Sequence, residues 1–550
     1  MHANSSSNQP PSLWKRVVVA AVATFLLVQV WSTAQRLVAP TRYWMKRLNH
    51  PTQADRDEAA ERLGAIGAPA APALLRALTD RSGFVREGAL QALGKMGEAA
   101  MPAVIEAAKS QDSALRHQAI MLFGRLNAPA DIEVPVLAQA MSDPDRLVRQ
   151  AAADRLGEIG ERPDEAVPVL SAALADQDAF VRSTAALALE RFGPAAAPAV
   201  PELIKALANS DEMTRRKAAA ALGAIGPAAS DAIASLVPLM KGDPAASVEA
   251  SSALGKIGVA AVPALIEALK SQDSRVRRRA VEALILVGPD AREAVPSLCA
   301  ALEDQSIRDL AAYALFRTGA DVPEAVGPLT QMLASAGDES AALALGNMAS
   351  QVEVVAPALR AKLHDKSPSV ASAAATALGR LRADDPATIE ALLEMLKDER
   401  QYRWSPAWAL AQIRPGDSTI LRALVEALSD QDPGVRAVAA LAIGQIGPTA
   451  GSAVPALTQA LGDSDHYVRT AAARALGQIG EHARVAAADL KKAIEDPANA
   501  KTNRQVAPAN RSGWMITRLI DDLEELSVRD MAQEALRRIG SSEIPQTADP

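Results

Sequence analysis

The sequence predicts an all-α solenoid of stacked helical pairs, and three observations predict it. A unit of about 30–34 residues recurs along most of the 550-residue chain. Apolar residues make up 49% of the chain and aromatic ones only 3%, so buried positions fall mainly to Ala, Leu, Val and Ile, which let helices approach closely. Glycines and prolines recur where helices must start or stop. Neither helix of such a unit shelters its apolar stripe alone, so each unit depends on its neighbours.

Residues 1–12 are polar and proline-bearing and are expected to be disordered. Residues 13–34 carry the run VVVAAVATFLLVQVW and read as a transmembrane anchor or signal sequence. From Val17 to Ala34 such a helix is about 27 Å long, barely the depth of a bilayer core. Trp14 and Trp31 bracket it as interfacial aromatics do, which suits a retained anchor, whereas Ser32 and Ala34 have the spacing a signal peptidase accepts. Lys15 and Arg16 before the run point to export of the repeats, and Arg36, Arg42, Lys46 and Arg47 after it point to the cytoplasm. The expectation adopted is a single-pass membrane protein with an extracytoplasmic solenoid. Residues 35–52 read as a basic linker.

Residues 53–495 hold the repeats, and Ser429 to Leu461 shows the unit best. Asp432 is placed to cap a first helix and Pro433 to open it, with Val435, Ala439, Ile443 and Ile446 on one face. Gly447 and Pro448 end it, and a second helix comes next with Val454, Leu457 and Leu461 as its stripe. The copies align on an arginine in a Val-Arg-x-x-Ala-x-x-Ala-Leu-Gly pattern. It stands at Arg56, Arg86, Arg116, Arg149, Arg182, Arg215, Arg277, Arg308, Arg403, Arg436 and Arg469, and Ser247, Asp338 and Ala371 replace it in three units. Residues 496–526 break the spacing and read as an insertion with a helix, 527–540 as a terminal capping helix, and 541–550 as a disordered tail.

These units resemble HEAT repeats of the short phycobilisome-lyase-like type from about residue 50 to 540. The resemblance implies a right-handed α-α superhelix, an armadillo-like HEAT-repeat solenoid. About 14 helical pairs and a C-terminal capping helix are expected, preceded by the membrane helix. It also implies that Arg86, Arg116, Arg149, Arg182, Arg215, Arg277, Arg308, Arg436 and Arg469 form a structural ladder tying repeats together. Several have an aspartate four residues earlier, as Asp112 before Arg116 and Asp432 before Arg436, a spacing that puts both on one helical face.

The net charge is −7, from 58 basic and 65 acidic residues interspersed along the repeats, which argues against a basic groove for nucleic acid. On the second helices one aligned row reads Arg76, Glu106, Gln139, Ala172, Lys205, Glu267, Ala300, Gln331, Ala361, Glu394, Glu426, Gln459 and Lys492. No sign dominates, which fits a protein partner better than a polyanion. In the degenerate stretch QYRWSPAWALAQI, Trp404 and Trp408 fall outside the main stripe, and Pro406 is expected to bend the helix. Tyr402, Trp404 and Trp408 are the candidate partner contact.

None of the six histidines is followed by glutamate, so the paired His-Glu ligands of a deoxyhypusine-hydroxylase-like enzyme are missing, and no metal, cofactor or catalytic residue is assigned. No small-molecule substrate is evident. The function expected is a non-catalytic, membrane-tethered scaffold or adaptor that binds a protein through its helical surface. The alternative is a HEAT-like enzyme, phycobilin-lyase-like or an oxidoreductase, with a site in the degenerate repeats.

Overall fold

A computed structural model of the chain describes residues 40–209, 211–398, 403–501, 523 and 526–540. Every regular element among them is helical. The chain divides into two compact units, the first ending at Ile257 and the second starting at Gly258. Along the described residues a short helix, Pro40–Arg47, is followed by fourteen first-and-second helix pairs, from Gln53–Ile66 to Ala487–Glu495, and by the last helix Val528–Arg538.

The pair at Pro433–Ile446 shows how sequence sets the unit. Asp432 is extended, and its carboxylate accepts the Gly434 N–H at 2.7 Å, which satisfies one of the donors a helix start leaves open. At the other end Gly447 takes φ 74° and ψ −144°, a conformation that side chains disfavour. A tight 3₁₀ turn, Gly447–Ala453, then delivers the chain into the second helix, Val454–Ala460, with Pro455 in its first turn. In the first unit, Ala179–Phe192, Gly193–Ala199 and Val200–Leu207 repeat the same sequence of helix, turn and helix.

Packing explains the recurrent Ala-Leu-Gly. Successive first helices lie so close that a Cβ added at Gly157 would come within 2.7 Å of the Ala188 Cα, and one at Gly444 within 2.8 Å of the Ala475 Cα. Glycine facing alanine is what permits that approach. The leucine before such a glycine is sealed, as at Leu156, Leu222 and Leu476, all 0% exposed. Each such side chain stabilises the stack by about 1.5–3 kcal/mol.

Two regions depart from the sequence expectation. Residues 40–48 do not form an open linker: Trp44 is 6% exposed, Leu48 is fully buried, and Arg47 pairs with Asp55 of the first repeat. This helix covers the apolar end of the first unit. The expected membrane helix at 13–34, the segments on either side of it up to residue 39, most of the insertion at 496–526 and the tail at 541–550 lie outside the described residues. Val528–Arg538 stacks directly on His466–Ile479, with Arg484 Nε donating to the Ile539 carbonyl at 3.0 Å and Arg529 Nε to that of Ile494 at 3.1 Å.

The second departure concerns Pro406. Instead of bending a full-length helix, it sits third in a helix that starts late, Trp404–Ile413. In a first turn a missing N–H leaves no bond unmade, so the helix is shortened and no bend is required.

Candidate interaction surface

The recurrent arginines join one repeat to the next, but not through the aspartate four residues back. Asp112 and Asp432 spend their carboxylates on helix N–H groups at 2.9 and 2.7 Å. Arg116 instead reaches the following repeat, where Nε and Nη2 each donate to Asp143 at 2.7 Å. Its Nη1 turns back to the Ser110 and Gln111 carbonyls, at 2.9 and 3.1 Å. Arg149 repeats this geometry, holding Asp176 at 2.7 and 2.9 Å while Nη1 donates to the Asp143 carbonyl at 2.8 Å. Asp143 therefore receives one arginine on its side chain and the next on its backbone, a continuous relay.

In the second unit Arg277 holds Asp304, Arg403 holds Asp430 and Arg436 holds Asp463, each aspartate lying 27 residues beyond its arginine. Burial alone would push the Asp143, Asp176 and Asp463 carboxyls up, but the hydrogen bonds from Arg116, Arg149 and Arg436, those from the Asp145, Asp178 and Asp465 N–H groups and the arginine charges together outweigh it and hold all three below the usual range.

The relay ends where the second partner is missing. Twenty-seven residues beyond Arg182 stands Asn209, whose amide oxygen accepts the Asp211 N–H at 2.9 Å, and Arg182 Nε is buried without a hydrogen-bond partner. Arg215 donates to the Asn209 carbonyl at 2.7 Å. Arg86 keeps only the backward half, to the Asp80 and Arg81 carbonyls at 2.7 and 3.0 Å. Arg308 lies 3.8 Å from its neighbour Asp309 and joins no aspartate of the next repeat among the described residues. At the C-terminal end Asn499 stands in for the aspartate, accepting from Arg469 at 3.1 Å.

Of the aromatic contact expected at Tyr402, Trp404 and Trp408, the two tryptophans do not form an exposed surface. Trp404 is 3% exposed and Trp408 is half-buried, with its ring against Gly379 of the preceding first helix. Both fill space between helices, the role that alanine and leucine have in regular repeats. Tyr402 lies outside the described residues. A cavity of about 480 Å³ opens nearby, lined by Asp365, Lys366, Ala371, Met395, Asp398 and Arg403 among others.

Two rows of side chains do face solvent. All thirteen residues of the aligned second-helix row, from Arg76 to Lys492, are exposed and carry mixed charge. The other row escapes the sequence reading. In the first unit the second residue of successive first helices is a large exposed apolar side chain: Leu147 at 46%, Phe180 at 63% and Met213 at 44%, with Phe84 at 52% in an earlier repeat. Its signal in the sequence is a hydrophobe two residues after the capping position, off the buried stripe. Equivalent positions in the second unit include Arg275, Asp309 and Ser340.

Reactive chemistry has little footing among the described residues. Burial and the nearby Glu324 push the Cys299 thiol up, so it stays protonated. Glu133 is fully buried and raised by that burial, but both oxygens accept from Arg155, at 2.6 and 3.2 Å, as a structural ion pair does. No cluster of three or more His, Cys, Asp or Glu placed to hold a metal occurs among the described residues.

Comparison with known proteins adds to this geometry. Curated proteins give no match. Among solved structures, importin beta crystallised with polyethylene glycol superposes with a TM-score of 0.62 at 16% identity, over 96% of this chain and 84% of that one. Yeast importin-beta, Kap95p, gives 0.56 at 14% over 94% and 85%, and Kap121p bound to Nup53p gives 0.53 at 11% over 96% and 78%. At such identities the likeness shows the fold alone. The family model for HEAT repeats matches at 41–110, 101–190, 167–255, 242–315, 262–345, 338–411 and 421–509. With that model matching nearly all of residues 41–509 and the stacked pairs to match, the chain belongs to the HEAT-repeat family.

Proposed function

We propose that the protein is a scaffold that binds a protein partner across its repeats, with the first unit supplying the apolar part of the contact. One observation carries the reading: Leu147, Phe180 and Met213 stand at the same position of three consecutive repeats and are each more than two-fifths exposed. Apolar side chains left outside in register mark a surface made to be covered. The mixed-charge row on the second helices supports it, because a mosaic of charge selects a protein better than a polyanion. Kap121p, a structural neighbour, is described in complex with Nup53p, which agrees with this use of the fold.

The reading includes a tether. Residues 13–34 anchor the chain in a membrane, and the basic pair before that run sets the repeats on the extracytoplasmic side. The test is crosslinking in the native membrane followed by mass spectrometry, with wild type beside the triple variant Leu147→Glu, Phe180→Glu, Met213→Glu. All three positions are exposed, so the fold should survive, and a partner crosslinked by wild type should be lost from the variant. An unchanged crosslink profile would refute the assigned surface. Recovery of the protein in the soluble fraction, or resistance of the repeats to protease added outside intact cells, would refute the tether and its orientation.

A further inference from the structure

Two successive rungs of the ladder in the first unit have no carboxylate at the place where one belongs. The ladder aspartate stands two residues before the capping aspartate of the next first helix, as Asp143 before Asp145 and Asp176 before Asp178. Before Asp211 that place holds Asn209. The next cap is Asp243, which accepts the Ala245 and Ala246 N–H groups at 2.9 and 3.3 Å and opens the helix Pro244–Ile257; two residues before it stands Lys241. A lysine brings Arg215 a like charge and no side-chain acceptor. Arg182 and Arg215 keep their backward bonds, to the Asp176 and Asn209 carbonyls at 2.8 and 2.7 Å, so each stays fixed at the head of its own repeat.

The bonding around these two places is incomplete in other ways. Arg182 Nε, Arg216 Nε and Asp243 Oδ2 are buried without hydrogen-bond partners, and unpaired buried groups destabilise the arrangement that leaves them so. The second helix between the two places has only four residues, Ile233–Leu236, before it tightens into the 3₁₀ turn Val237–Lys241. Its counterparts Pro163–Ala173 and Val200–Leu207 continue as α-helix for eleven and eight residues. A helix that gives way to 3₁₀ marks a hinge or a sequence under strain. Elsewhere the first helices stay tightly joined: Leu189 and Leu222 are 0% exposed, and a Cβ added at Gly223 would come within 2.9 Å of the Ala253 Cα. Packed along their length and unclamped at the ladder end, these repeats can pivot.

The apolar row lies at that ladder end. Leu147 and Phe180 flank the intact rung, in which Arg149 holds Asp176 at 2.7 and 2.9 Å. Phe180 and Met213 flank the place of Asn209. We infer that Leu147 and Phe180 form a fixed pair whereas Met213 moves relative to them, so that the apolar surface adjusts its reach to the protein that covers it. The inference rests on the scaffold reading for what the movement serves, but the movement itself is measured without a partner.

Nitroxide labels are placed at exposed positions of the full chain, in a Cys299→Ser background, as two pairs. Gln139→Cys with Lys205→Cys spans the two intact rungs, and Lys205→Cys with Val248→Cys spans the two without a carboxylate. Double electron–electron resonance should give the second pair a distance distribution at least about twofold broader than the first. Asn209→Asp with Lys241→Asp supplies both carboxylates and should narrow the second pair to the width of the first; Arg182→Met with Arg215→Met should abolish that narrowing. Equal widths before the carboxylates are supplied, a second pair that stays broad afterwards, or a narrowing that survives loss of both arginines would overturn the inference. The scaffold reading has a separate readout, the partner crosslinked through Leu147, Phe180 and Met213, so either can fail alone.

Discussion

Asn209→Asp should stabilise the first unit, because it supplies the carboxylate that Arg182 is built to meet. In the preceding rungs Arg116 and Arg149 each make two charge-assisted hydrogen bonds of 2.7 to 2.9 Å to an aspartate 27 residues on. Arg182 has the same backward bond, to the Asp176 carbonyl at 2.8 Å, but its Nε is buried with no acceptor. A hydrogen bond to a charged group is worth about 1.5–3 kcal/mol, and a buried donor left unpaired costs about 1–3 kcal/mol. Desolvating the new carboxylate takes back a large part of that. The existing bond from Asp211 N–H to Asn209, at 2.9 Å, is kept by an aspartate oxygen, as Asp143 keeps the one from Asp145 at 2.8 Å. A net gain of about 1–2 kcal/mol is expected.

A repeat array unfolds by parts, so one melting temperature would blur the effect. Hydrogen exchange of the helices Ala179–Phe192 and Glu212–Ile225 reads it locally, with slower exchange expected in both. The sign with pH comes from Asp176, whose carboxyl burial would raise but which Arg149, the Asp178 N–H and the Arg182 charge together hold below its ordinary value. A carboxyl lowered by folding contributes fully above its unfolded pKa of about 3.9 and loses the contribution as pH falls through the lower folded value. The gain from Asn209→Asp should therefore be complete at neutral pH and vanish in acid. It should also vanish in an Arg182→Met background. Unchanged or faster exchange at neutral pH, or a gain that survives loss of Arg182, would refute the relay as the source of coupling.

Other consequences are simpler to measure. Arg149→Met leaves the Asp176 carboxylate buried without its partner and should cost about 3–5 kcal/mol by urea titration. Gly157→Ala places a methyl 2.7 Å from the Ala188 backbone and should destabilise the first unit by about 1–3 kcal/mol, whereas alanine at Gly94, which has nothing within 4 Å, should not. Trp404→Ala should cost about 3–5 kcal/mol of stability, because the ring is packed; full stability with loss of partner binding would restore the aromatic contact at this position. On acidification, loss of the Asp143, Asp176 and Asp463 pairs should loosen both units below the ordinary carboxylate range, seen as faster exchange in the helices those pairs join.

The repeat itself is legible in the sequence because its determinants are local. The cap at Asp432, the stop at Gly447 and the apolar face between them depend on spacing within one helix. The arginine's partner is not legible from helical spacing. Asp112 lies on the right face of the helix, yet its own N–H obligations hold it, and the carboxylate that wins sits 27 residues away, brought close only by stacking. Trp404 and Trp408 mislead for a related reason. They align with Ala437 and Leu441 of a regular repeat, off the stripe of a lone helix, whereas Ala437 is 0% and Leu441 6% exposed, because first helices are flanked by other first helices as well as by their own partners. A single-helix stripe underestimates the buried face of a helix that has neighbours on several sides.

That extra burial bears on how the protein meets anything else. The ladder draws arginines and aspartates inward: Arg149 is 6% exposed and its hydrogen bonds all end within the chain. A count of charges along the sequence therefore overstates what a partner encounters on this side of the repeat. Among the side chains that remain outside are the second-helix row, whose members share no sign, and the apolar row of the first unit, which the ladder does not use. Specificity then rests on positions whose substitution costs the fold little, while the rungs beneath them hold the spacing from one repeat to the next. A change at Phe180 should alter binding and leave stability, and one at Arg149 should do the reverse. If the two kinds of substitution could not be told apart by exchange and crosslinking together, the division of labour between rung and surface would be wrong.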